Sequence, residues 1–235
     1  MCGLAAVSAL CERDPGRVER LYFEPRLRAA VGTFCVALAR ARKPYREVAA
    51  AELARIAGTK VNGGVAAIAR PQPLAVFDAA AAPGWARDGK PLLILDGIGN
   101  PHNLGAIARS AAFFGIERIV LADRPDQALP SDASYRVAEG GLEHVTLFRA
   151  PLPQALRVLR QGYRTIGAAL DGGAPLVPHR GGKPPALILG NEEKGLGPAT
   201  LAACDQIATI PGSGQVQSLN VAVAAAILIY LSTRP

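Results

Sequence analysis

The sequence predicts an α/β protein in two parts: a small α/β module, then a larger parallel sheet with helices on both faces. Three observations carry that reading. From residue 91 onward, short apolar runs alternate with helix-period segments, as strands and helices alternate in parallel sheets. The composition is 50% hydrophobic but only 5% aromatic, so small aliphatic side chains must fill the core, and global disorder is excluded. Residues 71–90 break the periodicity, from the Pro-Gln-Pro after Arg70 to Asp88-Gly-Lys, and read as a linker between domains at 1–70 and 91–235.

In the first domain, residues 3–12 follow a turn glycine with a helical pattern. Residues 25–43 form a second helix, with Leu27, Val31, Phe34 and Leu38 at helical spacing. Residues 46–57 are expected to form a third. Strands are expected at 18–23 and, after the turn Lys60-Val-Asn-Gly-Gly, at 65–69. In the second domain, strands are expected at 92–95, 118–121, 165–169, 186–189 and 206–210. Helices are expected at 103–114, closed by Gly115, and at 152–161, 198–203 and 218–231. The last helix is apolar nearly all round, which predicts burial or an interface between copies.

Residues 1–90 hold 14 Lys/Arg against 8 Asp/Glu, while 91–235 hold 12 against 11. A basic first third points to an anionic partner, usually nucleic acid; a basic face kept for solubility is the plainer alternative. Four cysteines, at 2, 11, 35 and 204, include no CxxC pair, and the three histidines, at 102, 144 and 179, add no metal-ligand spacing. Scattered cysteines of this kind read as small buried hydrophobes in a reducing, cytoplasmic setting. The apolar stretch 4–10 has no basic lead and meets Glu12-Arg-Asp, unlike a signal peptide. The late apolar run 221–231 is too short for a bilayer span.

Chemistry concentrates in three segments. The first runs from Asp96 to Ser110, where a strand gives way to a helix, the end at which open α/β sheets bind ligands. Asn103 stands where a helix cap is expected, and Gly105 keeps the first turn unobstructed. Arg109 projects from a helix of small residues and can reach a site or make a surface ion pair. No GxGxxG or P-loop spacing occurs, which disfavours NAD and ATP. The second segment is Leu187 to Pro198, where glycines at 190, 195 and 197 permit close backbone approach and Glu192 is placed to orient a partner. The third is Ile210 to Asn220, a glycine loop with Ser218 as the expected cap of the last helix, whose N-terminus favours an electron-rich group.

Together these segments resemble the signature motifs of the SpoU (TrmH-like) family of RNA 2′-O-ribose methyltransferases. The matches are N-P-x-N-x-G-A-I-x-R-S-A at 100–111, L-G-x-E-x-x-G-L at 189–196 and I-P-x-x-G-x-V-x-S-L-N-V-x-V-A at 210–224. The resemblance covers all of 91–235, and 1–70 looks more loosely like the small substrate-binding domain found in front of many members. It implies a trefoil-knotted α/β methyltransferase domain, a homodimer built on the knot helices, an RNA substrate (rRNA or tRNA) and S-adenosylmethionine as cofactor, with no metal. It assigns catalytic roles to Asn103, Arg109, Glu192, Ser218 and Asn220. It assigns cofactor contacts to Leu170, Asp171, Gly172, Leu189, Gly190, Asn191, Ile210, Gly212, Gly214, Ser218, Leu219 and Asn220.

Two departures stand out. Gly212 replaces the Met of many members, and the turn at 59–64 lacks the His-Gln-Gly often found there. The chain also begins abruptly at its first helix, which leaves room for a longer N-terminal extension. Two alternatives remain at this level: a non-catalytic RNA-binding or ribosome-assembly protein of the same fold, and a knotted methyltransferase acting on a base.

Overall fold

The computed structural model describes residues 1–178 and 181–233; His179 lies outside them. Helix α1 (Leu4–Arg13) starts behind Gly3, whose φ of 95° turns the chain into it. Strands β1 (Val18–Phe23), β2 (Tyr45–Glu47) and β3 (Val65–Ala69) form a sheet of order β2-β1-β3, with β2 parallel and β3 antiparallel to β1. Val7 and Leu10 of α1 and Val31, Cys35 and Leu38 of α2 (Arg28–Arg40) pack on Val18, Leu21 and Phe23. On the other side, α3 (Ala50–Ala57) sets Leu53 against Val48 and Ala66. The expected helix at 46–57 therefore begins later, because Tyr45–Glu47 pair with β1 as an edge strand instead.

The second sheet has eight strands: β4 (Ala75–Val76), β5 (Leu92–Asp96), β6 (Arg118–Ala122), β7 (Thr146–Ala150), β8 (Arg164–Ala168), β9 (Ala174–Pro175), β10 (Pro185–Gly190) and β11 (Gln206–Thr209). All pairings are parallel, in the order β4-β7-β6-β5-β10-β8-β11-β9. Side chains alternate across it, as strand geometry requires. Leu93 and Leu95 face α4 (Pro101–Phe113), α5 (Asp132–Ala138) and α8 (Val221–Thr233). Leu92 and Ile94 face α6 (Gln154–Leu159), α7 (Pro198–Ala202) and a 3-10 helix at Ala82–Asp88. Both faces are covered, so the central strands read as continuous apolar runs.

The span 71–90, expected as a linker, contributes β4 to the sheet and seats Trp85 between Phe77 and Phe148, at ring-centroid distances of 5.7 and 4.5 Å. The strands β7 and β9 and the helix α5 were not evident in the pattern. Helix α8 follows β11 yet packs on α4, which follows β5, so the chain returns across two strands.

A buried ion pair joins the two parts. Arg17 Nη1 lies 2.5 Å from Glu143 Oε2, with side-chain exposures of 8% and 2%. Arg17 also donates to Tyr135 Oη at 3.3 Å and to the Arg70 carbonyl at 3.0 Å. Removing one member leaves an uncompensated charge in a dry setting, so Arg17→Ala should lower stability by about 3–5 kcal/mol. Urea unfolding checks this, and the double change Arg17→Met with Glu143→Leu should recover most of the loss. An Arg17→Ala chain as stable as the parent would show the pair to be inconsequential.

Candidate active site

The site begins with a register. β5 and β10 are neighbours and Gly190 pairs with Asp96, so the loops at 97–100 and 191–197 leave the sheet side by side. Asn191 ties them: its Nδ2 donates to the Gly97 carbonyl at 2.7 Å, while its Oδ1 accepts from the backbone N–H groups of Glu193 and Lys194 at 3.0 Å each. The loop closes through paired backbone bonds between Asn191 and Gly195. It is so tight that a Cβ at Gly190 would lie 2.3 Å from the Gly195 carbonyl carbon. Gly190 is therefore required by the loop's own backbone.

Glu192 sits at the centre. Its Oε2 accepts from the Gly99 N–H at 3.1 Å, and its Oε1 accepts from the Asn100 N–H at 3.2 Å and from Asn103 Nδ2 at 2.9 Å. Burial alone would raise its pKa, but the Asn103 side chain and the backbone donors outweigh this and hold the carboxyl below its usual range. Asn103 Oδ1 in turn accepts from Asn220 Nδ2 at 3.1 Å, and Asn220 Oδ1 accepts from the Ala222 N–H at 2.8 Å. The relay fixes both amide orientations from its ends, since a carboxylate only accepts and a backbone N–H only donates. The first motif segment is thereby joined to the other two, 89 residues on at Glu192 and 117 on at Asn220.

Two expected caps are corrected here. Asn100, not Asn103, caps α4, accepting the His102 N–H at 2.9 Å beside Pro101; Asn103 is one turn in and 9% exposed. Asn220, not Ser218, caps α8, which starts at Val221. Gly105 answers to packing: a Cβ there would lie 2.4 Å from the Ser134 carbonyl oxygen on α5.

The remaining expected residues divide. Because β10, β8 and β11 are adjacent and parallel, the loops carrying Leu170–Gly172, Asn191 and Ile210–Gly214 emerge on one rim. Leu170, Asp171, Gly172, Gly212, Gly214, Ser218 and Leu219 are exposed there, Ile210 is half-buried, and Leu189 is buried in β10. At the end of β11, Thr209 Oγ1 is buried without a hydrogen-bond partner. Arg109 lies apart, its guanidinium 2.9 Å from Glu139.

The sequence reading missed a supporting network. Asp96, 4% exposed, accepts from Thr200 Oγ1 at 2.7 Å and Arg124 Nη1 at 3.0 Å, and Gln127 Oε1 accepts the Gly97 N–H at 2.9 Å. The Asp96 hydrogen bond, with help from Asp126, raises the Arg124 pKa. A carboxylate ending a buried strand was the available signal. Among the described residues, no cluster of His, Cys, Asp and Glu could hold a metal ion, and no helix is long and apolar enough to cross a membrane.

Comparison with known proteins matches residues 90–230 to the SpoU rRNA Methylase family and residues 1–75 to the RNA 2′-O ribose methyltransferase substrate binding family. The chain is 33% identical to an uncharacterized tRNA/rRNA methyltransferase of Escherichia coli O157:H7 over 97% of its own length and 65% of that protein's. It is 31% identical to a 23S rRNA (guanosine-2′-O-)-methyltransferase of Acinetobacter baylyi, over 99% of this chain and 95% of that one. The AdoMet-bound rRNA methyltransferase of Sinorhizobium meliloti shares the fold, with a TM-score of 0.75 at 23% identity over 99% of this chain and 85% of that one.

The lowered Glu192 pKa carries a sign. A carboxyl depressed on folding contributes stability that is present above its unfolded pKa of about 4.3 and is lost as pH falls through the folded value. Glu192→Gln should therefore be less stable than the parent at neutral pH and lose less on acidification. Denaturant midpoints at neutral and acidic pH test this, and parallel pH curves for the two proteins would contradict it.

Proposed function

The chain belongs to the SpoU rRNA methylase family, and on that basis we propose that it transfers a methyl group from S-adenosylmethionine to a ribose 2′-hydroxyl of RNA. The observation that carries the reading is the Asn220–Asn103–Glu192 relay, which joins all three motif segments at one rim of the sheet. The named relatives favour rRNA over tRNA as substrate. We divide the chain into a substrate-binding domain at 1–70, a connection at 71–90 and a methyltransferase domain at 91–235. The return of α8 onto α4 supports a trefoil knot. An rRNA substrate, as in the named relatives, fits a cytoplasmic location.

The rim suits the cofactor. Loops 170–172 and 211–214 offer exposed backbone next to the end of β10 at 189–191, and the unpartnered Thr209 Oγ1 supplies a polar atom beside them. When bound, S-adenosylmethionine supplies an electrophilic methyl group. Ser218 and Leu219 would border it at the start of α8, where free N–H groups favour electron-rich atoms.

A 2′-hydroxyl is a poor nucleophile until its proton is drawn away. Arginine stays protonated, so Arg109 acts with an RNA phosphate: it orients the phosphate and polarises the hydroxyl, and the phosphate oxygen accepts the proton. Glu192, with both oxygens committed to Gly99, Asn100 and Asn103, is a positioning group rather than a base. Asn103 and Asn220 hold the loops in register, the entropic part of catalysis. The front domain supplies RNA affinity: Arg20, Arg40, Arg42, Arg55 and Lys60 are exposed and lack ion-pair partners among the described residues.

The apolar face left open where α4 meets α8 supports a homodimer. Phe113 is 79% exposed and Val223 is 49% exposed, more apolar surface than one chain covers. Light scattering should give twice the chain mass, and Val223→Glu should give monomers. A parent protein that is monomeric at micromolar concentration would refute this.

Mapping of 2′-O-methyl sites in total RNA, with and without the gene, tests the activity. Arg109→Ala should abolish transfer while leaving calorimetric cofactor affinity nearly unchanged. Arg109→Lys keeps the charge but loses the planar fork, so it should rescue little. Wild-type methylation by Arg109→Ala would remove this residue from the mechanism.

A further inference from the structure

Arg109 is not an unpartnered cation. Its Nη2 lies 2.9 Å from Glu139 Oε2, and both side chains are 56% exposed. Glu139 ends α5 with φ 44° and ψ 46°. This left-handed conformation is one that glycine adopts freely and a residue with a Cβ seldom does. A carboxylate therefore stands where the backbone favours glycine.

The turn that carries it is wedged. A Cβ at Gly141 would lie 2.7 Å from the Arg109 Cα, and one at Gly140 would lie 2.9 Å from the Ala9 Cβ and 3.1 Å from the Ala5 carbonyl oxygen. Residues 139–141 thus fill the space between α1 of the front domain and the helix that bears Arg109. Glu143, a little further on, is the buried partner of Arg17. The turn that carries Glu139 is therefore held in place by the packing of the two parts of the chain.

We propose that Glu139 is a built-in occupant of the Arg109 phosphate site, holding the guanidinium until an RNA phosphate displaces it. The proposal rests on the reading that Arg109 engages RNA. An exposed carboxylate pair is weak enough to exchange, whereas a bidentate phosphate on the same planar fork is stronger. Glu139 acts through Arg109 and is a positioning residue. It lowers the affinity of the site for stray polyanions and eases release of methylated RNA.

The test uses the full-length protein and in-vitro transcribed large-subunit rRNA. Glu139→Gln and Glu139→Gly should each tighten rRNA binding about two- to fivefold, the range of an exposed pair, and lower KM without raising kcat. The glycine variant suits the left-handed backbone, so it should fold even if the glutamine variant does not. Asp132→Asn removes an equal charge from the exposed start of α5 and should leave affinity unchanged. In an Arg109→Ala background, Glu139→Gln should tighten binding less than in the parent. Unchanged affinity in both Glu139 variants, or equal tightening by Asp132→Asn, would overturn the proposal while leaving Arg109 in its role. Wild-type transfer by Arg109→Ala would instead overturn the reading of Arg109, and the proposal with it.

Discussion

The Glu192 carboxylate accepts hydrogen bonds from two backbone N–H groups and one side-chain amide, all from the first motif segment. Through Asn103 it also sets the position of Asn220, and so the start of α8. Local forces cannot hold these pieces together, because they belong to loops and caps far apart in the chain. What holds them is an anion at the rim with its donors arranged around it. Such charge-assisted bonds are among the stronger polar contacts a protein makes. Once the carboxylate is ionised and satisfied, the amide directions follow without further choice.

That arrangement requires β10 to lie between β5 and β8, with Gly190 level with Asp96. The loop after β10 must then fold back on itself at a distance no side chain at 190 would permit. Close backbone approach recurs at Gly105 against Ser134 and at Gly141 against Arg109. The helices around the site are consequently held by main chain, which moves less than side chains do. A site whose groups come from several loops gains from such rigidity.

The front domain belongs to the same mechanical unit. Arg17 enters the larger domain and meets Glu143 and Tyr135 in a dry interface, while Gln72 donates to the Val145 carbonyl nearby. The basic surface of the first domain is thereby held at a fixed position relative to the larger sheet.

The sequence by itself determined the two-part α/β plan, the parallel sheet and the three segments that meet at the rim. These are written in local chemistry: apolar runs of strand length, helical spacing, and glycines with amides in a specific order. β1 and β3 were legible to the residue, because Pro15-Gly16 and Pro25 flank the first and Asn62-Gly63-Gly64 leads into the second. The chain's tertiary structure decided the rest. Asn103 and Ser218 looked like caps, because any Asn or Ser before an apolar run does; only the packed chain shows Asn100 and Asn220 in that role. Tyr45–Glu47 became a strand because β1 offered an open edge. The reason for Gly190 and the partner of Arg109 were equally invisible, since Gly195 closes on Gly190 only when the 191–195 loop folds back, and Glu139 reaches Arg109 only through the packing of α5 on α4. Periodicity records which face of an element is buried, and carries no information about which distant backbone will lie against it.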